Sequence, residues 1–318
     1  MTTIYMTEHG VHVNKEGGTI AFKKKDGNAT CLPSDYVSVL VVMANVQISH
    51  AVIVEVLRNN GRIVYLDKYG KIMGALDNRH VSGRNLLTQL DAYRDADRRL
   101  EIAKYILKEK ISDEIKFLSY LNKRFKNEEI TQVIGKLNIF KNKCDAQTDI
   151  ASLMGIEGIC AKNYFGCFQY IIKHKDFVWT GRKKHPPKDT VNALLSYTYV
   201  LVEKDVRAAL AETELALDIG YLHAADCRKD SLVYDILELF RAGVADKFVL
   251  RCINLRIANA GDFTCEEEGC LMSRVFLKKF VAAYEDYVGD FNDSDSIRYG
   301  ILQTVRKIKK MIMDSGEN

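Results

Sequence analysis

Near residue 85 the spacing of apolar residues along this chain changes from about two to about 3.6, and no single kind of secondary structure satisfies both periods. Before the change, apolar and polar positions alternate in short bursts broken by turn residues. Examples are Ile4-Tyr5-Met6, Val11-His12-Val13, and Thr19-Ile20-Ala21-Phe22 after Gly17-Gly18. These are strand signals. Asp26-Gly27-Asn28 predicts a turn, the β-branched run Val37 to Val46 a strand, and Arg62 to Leu66 with Lys71 to Leu76 a hairpin around Lys68-Tyr69-Gly70. His50 to Asn59 carries helical spacing. After the change, Leu86, Leu87, Leu90, Tyr93, Leu100, Ala103, Ile106 and Leu107 mark helix. Further helices are predicted at Ser112 to Phe125, Asp149 to Ile172, Thr190 to Glu212, Ser231 to Phe240, Ala245 to Ile257, Met272 to Tyr287 and Ile297 to Met313. The chain therefore predicts an α+β fold: a small β-sandwich-like domain over residues 1–85, then a larger all-α domain over 86–318. His80 to Arg84, which contains Gly83, is the expected linker.

A length of 318 residues suits two domains. Only Pro33, Pro186 and Pro187 interrupt the backbone, so long elements are allowed. With 47% hydrophobic and 28% charged residues the composition excludes a disordered chain, while a net charge of +4 does not choose a partner. The eight cysteines form no CxxC pair, and Cys265 and Cys270 flank three glutamates with no histidine after them, which argues against structural zinc. They predict reduced thiols in a cytoplasmic protein. No run approaches the roughly 20 apolar residues of a membrane span, and no basic region precedes an apolar core at the N-terminus. The absence of internal repeats excludes a solenoid.

Chemistry concentrates in Gly220 to Glu238. His223 precedes the helix expected from Ser231, and Asp235 and Glu238, three residues apart, share a helical face opposite the apolar stripe Leu232, Val233, Ile236, Leu237 and Phe240. One imidazole and two carboxylates are the composition of a divalent-metal site, with Mg²⁺ or Mn²⁺ the cations that prefer oxygen donors. Taken singly, His223 reads as readily as a core or loop histidine, and Asp235 and Glu238 as a solvated face. Glu157 stands between Gly155 and Gly158 inside an apolar helix. Glycine there costs about 1 kcal/mol against alanine, so close approach of a backbone or ligand is one explanation and a helix start or crossing another. Arg182-Lys183-Lys184-His185-Pro186-Pro187-Lys188 is a cationic loop following Trp179, the chain's only tryptophan. Lysine, arginine and an aromatic ring suit a nucleic-acid backbone and its unpaired bases, and a solvated surface is the alternative. Arg228 and Lys229 stand between His223 and the carboxylate helix, where they would meet a phosphate.

In order and together, these segments resemble the CRISPR-associated protein one family, the DNA integrase and endonuclease of spacer acquisition. The likeness runs along most of the chain. It covers the β start, Leu86-Leu87-Thr88-Gln89 to Ile111, Glu157-Gly158-x-x-Ala161-x-x-Tyr164, and Pro187-x-Asp189-x-Val191-Asn192-Ala193-Leu194-Leu195-Ser196-Tyr197-x-Tyr199. It continues through Gly220-x-Leu222-His223, Ser231-Leu232-x-x-Asp235-x-x-Glu238-x-Phe240-Arg241 and Asp246. The chain departs from common family patterns in lacking a proline in Leu217 to Gly220 and in having Ala242-Gly243 after Arg241.

The resemblance implies that Glu157, His223 and Glu238 bind Mg²⁺ or Mn²⁺, that Asp235 lines the same site, and that Arg228 and Ser231 lie at its rim. It places Tyr164, Trp179, Asn192, Tyr197 and Tyr234 near the DNA-facing pocket, with Arg182, Lys183 and Lys184 as further DNA contacts. The implied reaction joins 3′-OH ends of double-stranded DNA into CRISPR repeat DNA by metal-dependent phosphoryl transfer; with water as nucleophile the same site would be an endonuclease. The implied partners are a second copy of the chain, paired through the β domain, and the small CRISPR-associated protein two bridging two dimers, with no membrane involved. Two alternatives use the same residues: a stand-alone metal-dependent nuclease of branched or single-stranded DNA in repair, and a non-catalytic DNA-binding scaffold.

Overall fold

The computed structural model describes residues 2–67, 70–78, 81–172, 174–183, 186–223 and 230–314. The chain divides into two compact units, residues 1–80 and 81–318.

The first unit is β-rich. One sheet has the order β1 (Thr2–Met6), β5 (Val37–Val42), β7 (Arg62–Leu66), β8 (Ile72–Leu76), the first three strands parallel and β8 antiparallel to β7. The helix α1 (His50–Arg58) makes the crossover between β5 and β7, as parallel neighbours require. A second sheet has the order β4 (Ala29–Pro33), β3 (Thr19–Lys23), β2 (His12–Glu16), β6 (Gln47–Ile48). Val13 and Ile20 of the second sheet, Leu40 and Ile63 of the first, and Val52 and Val56 of α1 share one core. The predicted turn at Asp26 to Asn28 closes with the Asn28 amide donating to Asp26 Oδ1 at 3.0 Å.

The second unit is helical. Gly83, expected in a linker, opens α2 (Gly83–Arg94), whose N-terminus is capped by Ser82. The chain then breaks at Asp95, which caps the single 30-residue helix α3 (Ala96–Phe125); the sequence predicted a boundary near Ile111 instead. Next come α4 (Glu128–Lys143), which the sequence reading missed, α5 (Ile150–Gly166) and the short α6 (Phe168–Ile171). The helix α7 (Thr190–Ala211) is buried on nearly all sides and is the centre of the unit. The stretch predicted as two helices from Ser231 to Ile257 is more irregular: α8 (Ser231–Leu237), a 3₁₀ turn Glu238–Phe240, a π-helical turn Arg241–Asp246, and α9 (Lys247–Asn254). A hairpin of β9 (Phe263–Glu266) and β10 (Gly269–Met272) precedes α10 (Arg274–Val288) and α11 (Ile297–Met313). That hairpin corrects the expectation of eight reduced cysteines, because Cys265 and Cys270 face each other across it and are disulfide-bonded. Cys31, Cys144, Cys160, Cys167 and Cys252 are free, and Cys227 lies outside the described residues. Among the described residues no helix is long and apolar enough to cross a membrane.

Candidate active site

Five separate pieces of the helical unit wall an open cavity of about 670 Å³: α3, α5, α6, the loop 179–182, and the irregular turns after α8. The π-helical turn matters here, because its extra residue per turn takes Arg241 and Asp246 off the α-helical register and brings both to the cavity. Gly243 lets the turn close on α3: its amide donates to Asp113 Oδ2 at 2.6 Å, and a Cβ there would lie 2.7 Å from both carboxylate oxygens.

At the cavity wall the ammonium of Lys110, from α3, meets two carboxylates. It contacts Glu157 Oε1 of α5 and lies 2.6 Å from Glu238 Oε2. Arg241 Nη2 stands 3.1 Å from the other Glu238 oxygen. Burial opposes ionisation of Glu238, but Arg241 and Lys110 outweigh it and hold its carboxyl at about 2. Burial likewise disfavours the Lys110 ammonium, and Glu238, Glu114 and Glu157 reverse that and keep it charged. Glu114, one turn along α3, is pushed up to about 8, by burial first and with Lys110 pulling the other way.

His223 is held from the opposite side. Asp235 of α8 is fully buried and accepts the backbone amides of Tyr221 (2.5 Å), Leu222 (3.0 Å) and His223 (2.9 Å). It also lies 2.7 Å from His223 Nδ1, and that bond raises the imidazole pKa against the lowering effect of burial. Both Asp235 oxygens are thus spent on the 221–223 segment, so Asp235 orients His223 instead of lining the cavity. Gly220 makes the approach possible, since a Cβ there would meet Ser231 backbone at 2.7 Å. Among the described residues no three His, Cys, Asp or Glu side chains converge closely enough to hold a metal ion as the side chains stand.

Deeper in, Asp246 accepts hydrogen bonds from Tyr164 and Tyr199, each at 2.7 Å. The Arg182 and Arg241 guanidinium groups lie 5.1 Å and 4.9 Å from the centre of the Tyr199 ring. Arg182 donates to Asn192 Oδ1 (2.8 Å) and Ser196 Oγ (3.2 Å), and Asn192 Nδ2 donates to Gly181 O (2.9 Å). Trp179 donates its indole N–H to Phe165 O at 3.1 Å and packs its ring on Phe165 and Phe168.

Several expected DNA contacts are therefore reassigned by burial. Tyr164, Asn192, Tyr197 and Ser231 are all but inaccessible, and they brace the site from within: Tyr164 through Asp246, Asn192 through the 181–183 loop, Tyr197 against Phe280, Ser231 against Gly220. Tyr234 is half-buried, near Arg207 and Asp230. Trp179 and Arg182 do line the cavity, as does the largely covered Tyr164 from beneath, and Lys183 is exposed beside it in sequence. Lys184 and Arg228, with Lys229, lie outside the described residues. The glycines flanking Glu157 are explained by neither close approach nor crossing, for a Cβ at Gly155 or Gly158 would meet open space. Lys110, Glu114 and Arg241 were missed as site residues. The available signal was the two charges, four apart, inside the apolar stripe Ile106, Leu107, Ile111, Phe117 and Leu118.

A model of one family, CRISPR associated protein Cas1, matches residues 4–286. The chain belongs to the Cas1 family. Among its relatives, a CRISPR-associated endonuclease Cas1 of Thermodesulfovibrio yellowstonii is 28% identical over 301 residues, covering 91% of this chain and 92% of its own. A Cas1 protein from Thermotoga maritima superimposes with a TM-score of 0.88 at 24% identity, covering 99% of this chain and 98% of its own. A casposase bound to integration product does so at 0.86, with 20% identity and coverage of 100% and 92%. A Cas6-RT-Cas1–Cas2 complex chain gives 0.84 at 19% identity, with 98% of this chain on 35% of that one. The Cas1 fold thus spans both units of this chain.

Proposed function

We propose that this chain is a CRISPR adaptation integrase, joining the 3′-OH ends of double-stranded DNA fragments into repeat DNA by phosphodiester transesterification. The observation that carries the reading is the convergence of Glu157 and Glu238, from separate elements, on one buried cation at the wall of an open cavity lined by arginines and aromatic rings. Membership of the Cas1 family and the likeness to a casposase bound to integration product support it. The cavity holds about 670 Å³, within the range of pockets that take small ligands and wide enough for a nucleotide segment.

A divalent cation suits these donors. Glu238 is held ionised, Glu157 and Glu238 already reach one positive centre, and His223 has Nδ1 committed to Asp235, which leaves Nε2 as the ligating nitrogen in a carboxylate–imidazole pair. Glu157, Glu238 and His223 would hold Mg²⁺ or Mn²⁺, which supplies charge to offset the negative charge developing on the phosphoryl oxygens. The protein's own groups do the positioning. Asp235 fixes the His223 ring, Arg241 and Arg182 keep cationic groups at the cavity for phosphate, and Trp179 offers a ring beside it. Exposed Lys162 and Lys183 extend this positive surface toward a DNA backbone.

The proposed partners follow the same reading: repeat and fragment DNA, a second copy of the chain, and CRISPR-associated protein two bridging two dimers. Pairing through residues 1–80 is supported by the exposed edge strand β8, where Met73 is 67% and Leu76 41% accessible. The same site with water as nucleophile would hydrolyse DNA, a second reading favoured by the endonuclease name of the relative. Both are decided by incubating labelled 3′-OH duplex with a repeat-bearing plasmid and Mn²⁺. Wild-type protein should yield joined strands, and Glu157→Gln and His223→Ala should each lower joining at least about 100-fold. Shortened strands alone would mean a nuclease, and wild-type joining by either variant would overturn the site.

A further inference from the structure

The cation in this cavity is supplied by the chain itself. Lys110 is 4% exposed and projects from the apolar stripe of α3, where an ammonium is tolerated only if carboxylates pair with it. Its nitrogen contacts Glu157 and lies 2.6 Å from Glu238, so it stands between the two carboxylates proposed to hold a divalent ion. Both cannot occupy that point. On the same face of α3, four residues on, Glu114 is also 4% exposed, and its Oε2 is buried without a hydrogen-bond partner. Four rotatable bonds let the Lys110 ammonium reach toward Glu114 with no change of backbone.

Building on the metal site proposed above, we propose that Lys110 is a built-in counter-ion that fills the position between Glu157 and Glu238 until a divalent cation displaces it, and that Glu114 then receives the ammonium. Lys110 is thus a positioning residue. It keeps two buried carboxylates side by side in the metal-free protein, where their repulsion would otherwise spread them. In exchange it competes with the metal, and apparent affinity falls in proportion to the fraction of molecules whose site is free. Glu114 offsets part of that loss by accepting the displaced charge.

The test is Mn²⁺ binding by the full chain, followed by the electron paramagnetic resonance signal of the free ion, with circular dichroism to check the fold of each variant. Lys110→Met should bind Mn²⁺ at least about tenfold more tightly than wild type. Glu114→Gln, which keeps size and cannot ionise to pair with the arriving ammonium, should bind more weakly. Tightening by K110M together with weakening by E114Q supports the displacement. K110M binding no more tightly than wild type, or E114Q binding equally well, overturns it. Should K110M fail to fold, E114Q decides alone: weakened binding supports the proposal and unchanged binding overturns it. Glu157→Gln separates this from the site itself. If E157Q binds Mn²⁺ as wild type does, the metal site is misplaced and the proposal falls with it, whatever K110M does.

Discussion

Asp246 makes the energetics of single residues visible. It has no solvent contact, and burial raises its carboxyl from 3.8 to about 6, while hydrogen bonds from Tyr199 and Tyr164 pull the other way. A carboxyl whose pKa is higher folded than unfolded takes up a proton on folding. Its contribution to stability is therefore full below the unfolded value, declines as pH rises from about 4 to about 6, and is flat above. A shift of roughly two units corresponds to about 3 kcal/mol. Asp246→Asn has no proton to gain, so wild type should lose about 3 kcal/mol relative to the variant between pH 4 and pH 7 in urea unfolding. Parallel pH profiles would show that Asp246 is not the group responsible. At this scale the sequence made Glu157, His223, Asp235 and Glu238 legible as candidates. Spacing alone did not separate Asp235 from Glu238, and only the resemblance gave them different roles; what separates them physically is the backbone of residues 221–223 folding back onto Asp235.

Among elements, the turns before and after α8 hold the site more than the long helices do. Gly220 packs directly on the first turn of α8, with Ser231 backbone and side-chain atoms 2.6–2.9 Å from where a Cβ would be. That backbone is tied through Asp235 to His223 and has little freedom to give. Gly220→Ala should therefore destabilise the chain by about 1–3 kcal/mol. Gly158→Ala, in an exposed part of α5 with open space around it, should instead stabilise by about 1 kcal/mol. Thermal melts of the two variants check this, and shifts of the same sign would contradict it. Helices α5, α7, α10 and α11 were legible because their apolar residues recur at helical spacing. The helix α4 was not, since of its apolar residues only Ile130 and Leu137 are buried and the rest face outward or lie half-covered. The 3₁₀ and π-helical turns were hidden for another reason: they depend on Gly243 meeting Asp113 of α3, a contact no local spacing announces.

For the whole molecule, the division falls at residues 80 and 81, and each unit has buried apolar side chains of its own. A chain cut to residues 81–318 should unfold in one cooperative calorimetric transition and sediment as a monomer, since the exposed strand edge proposed for pairing lies in residues 1–80. A truncated protein that remains dimeric would place the pairing surface elsewhere. The sequence by itself determined the α+β order and most elements, because hydrophobic period and turn residues act between near neighbours along the chain, and its ordered motifs carried the resemblance to the family. Only the tertiary structure decided that Lys110 stands between Glu157 and Glu238, that Asp235 serves His223, and that Tyr164 and Asn192 brace the site from inside. Those facts join residues far apart in sequence, Lys110 and Glu157 being 47 positions apart. Buried charges settle where packing leaves them a partner, and packing is a property of the folded whole.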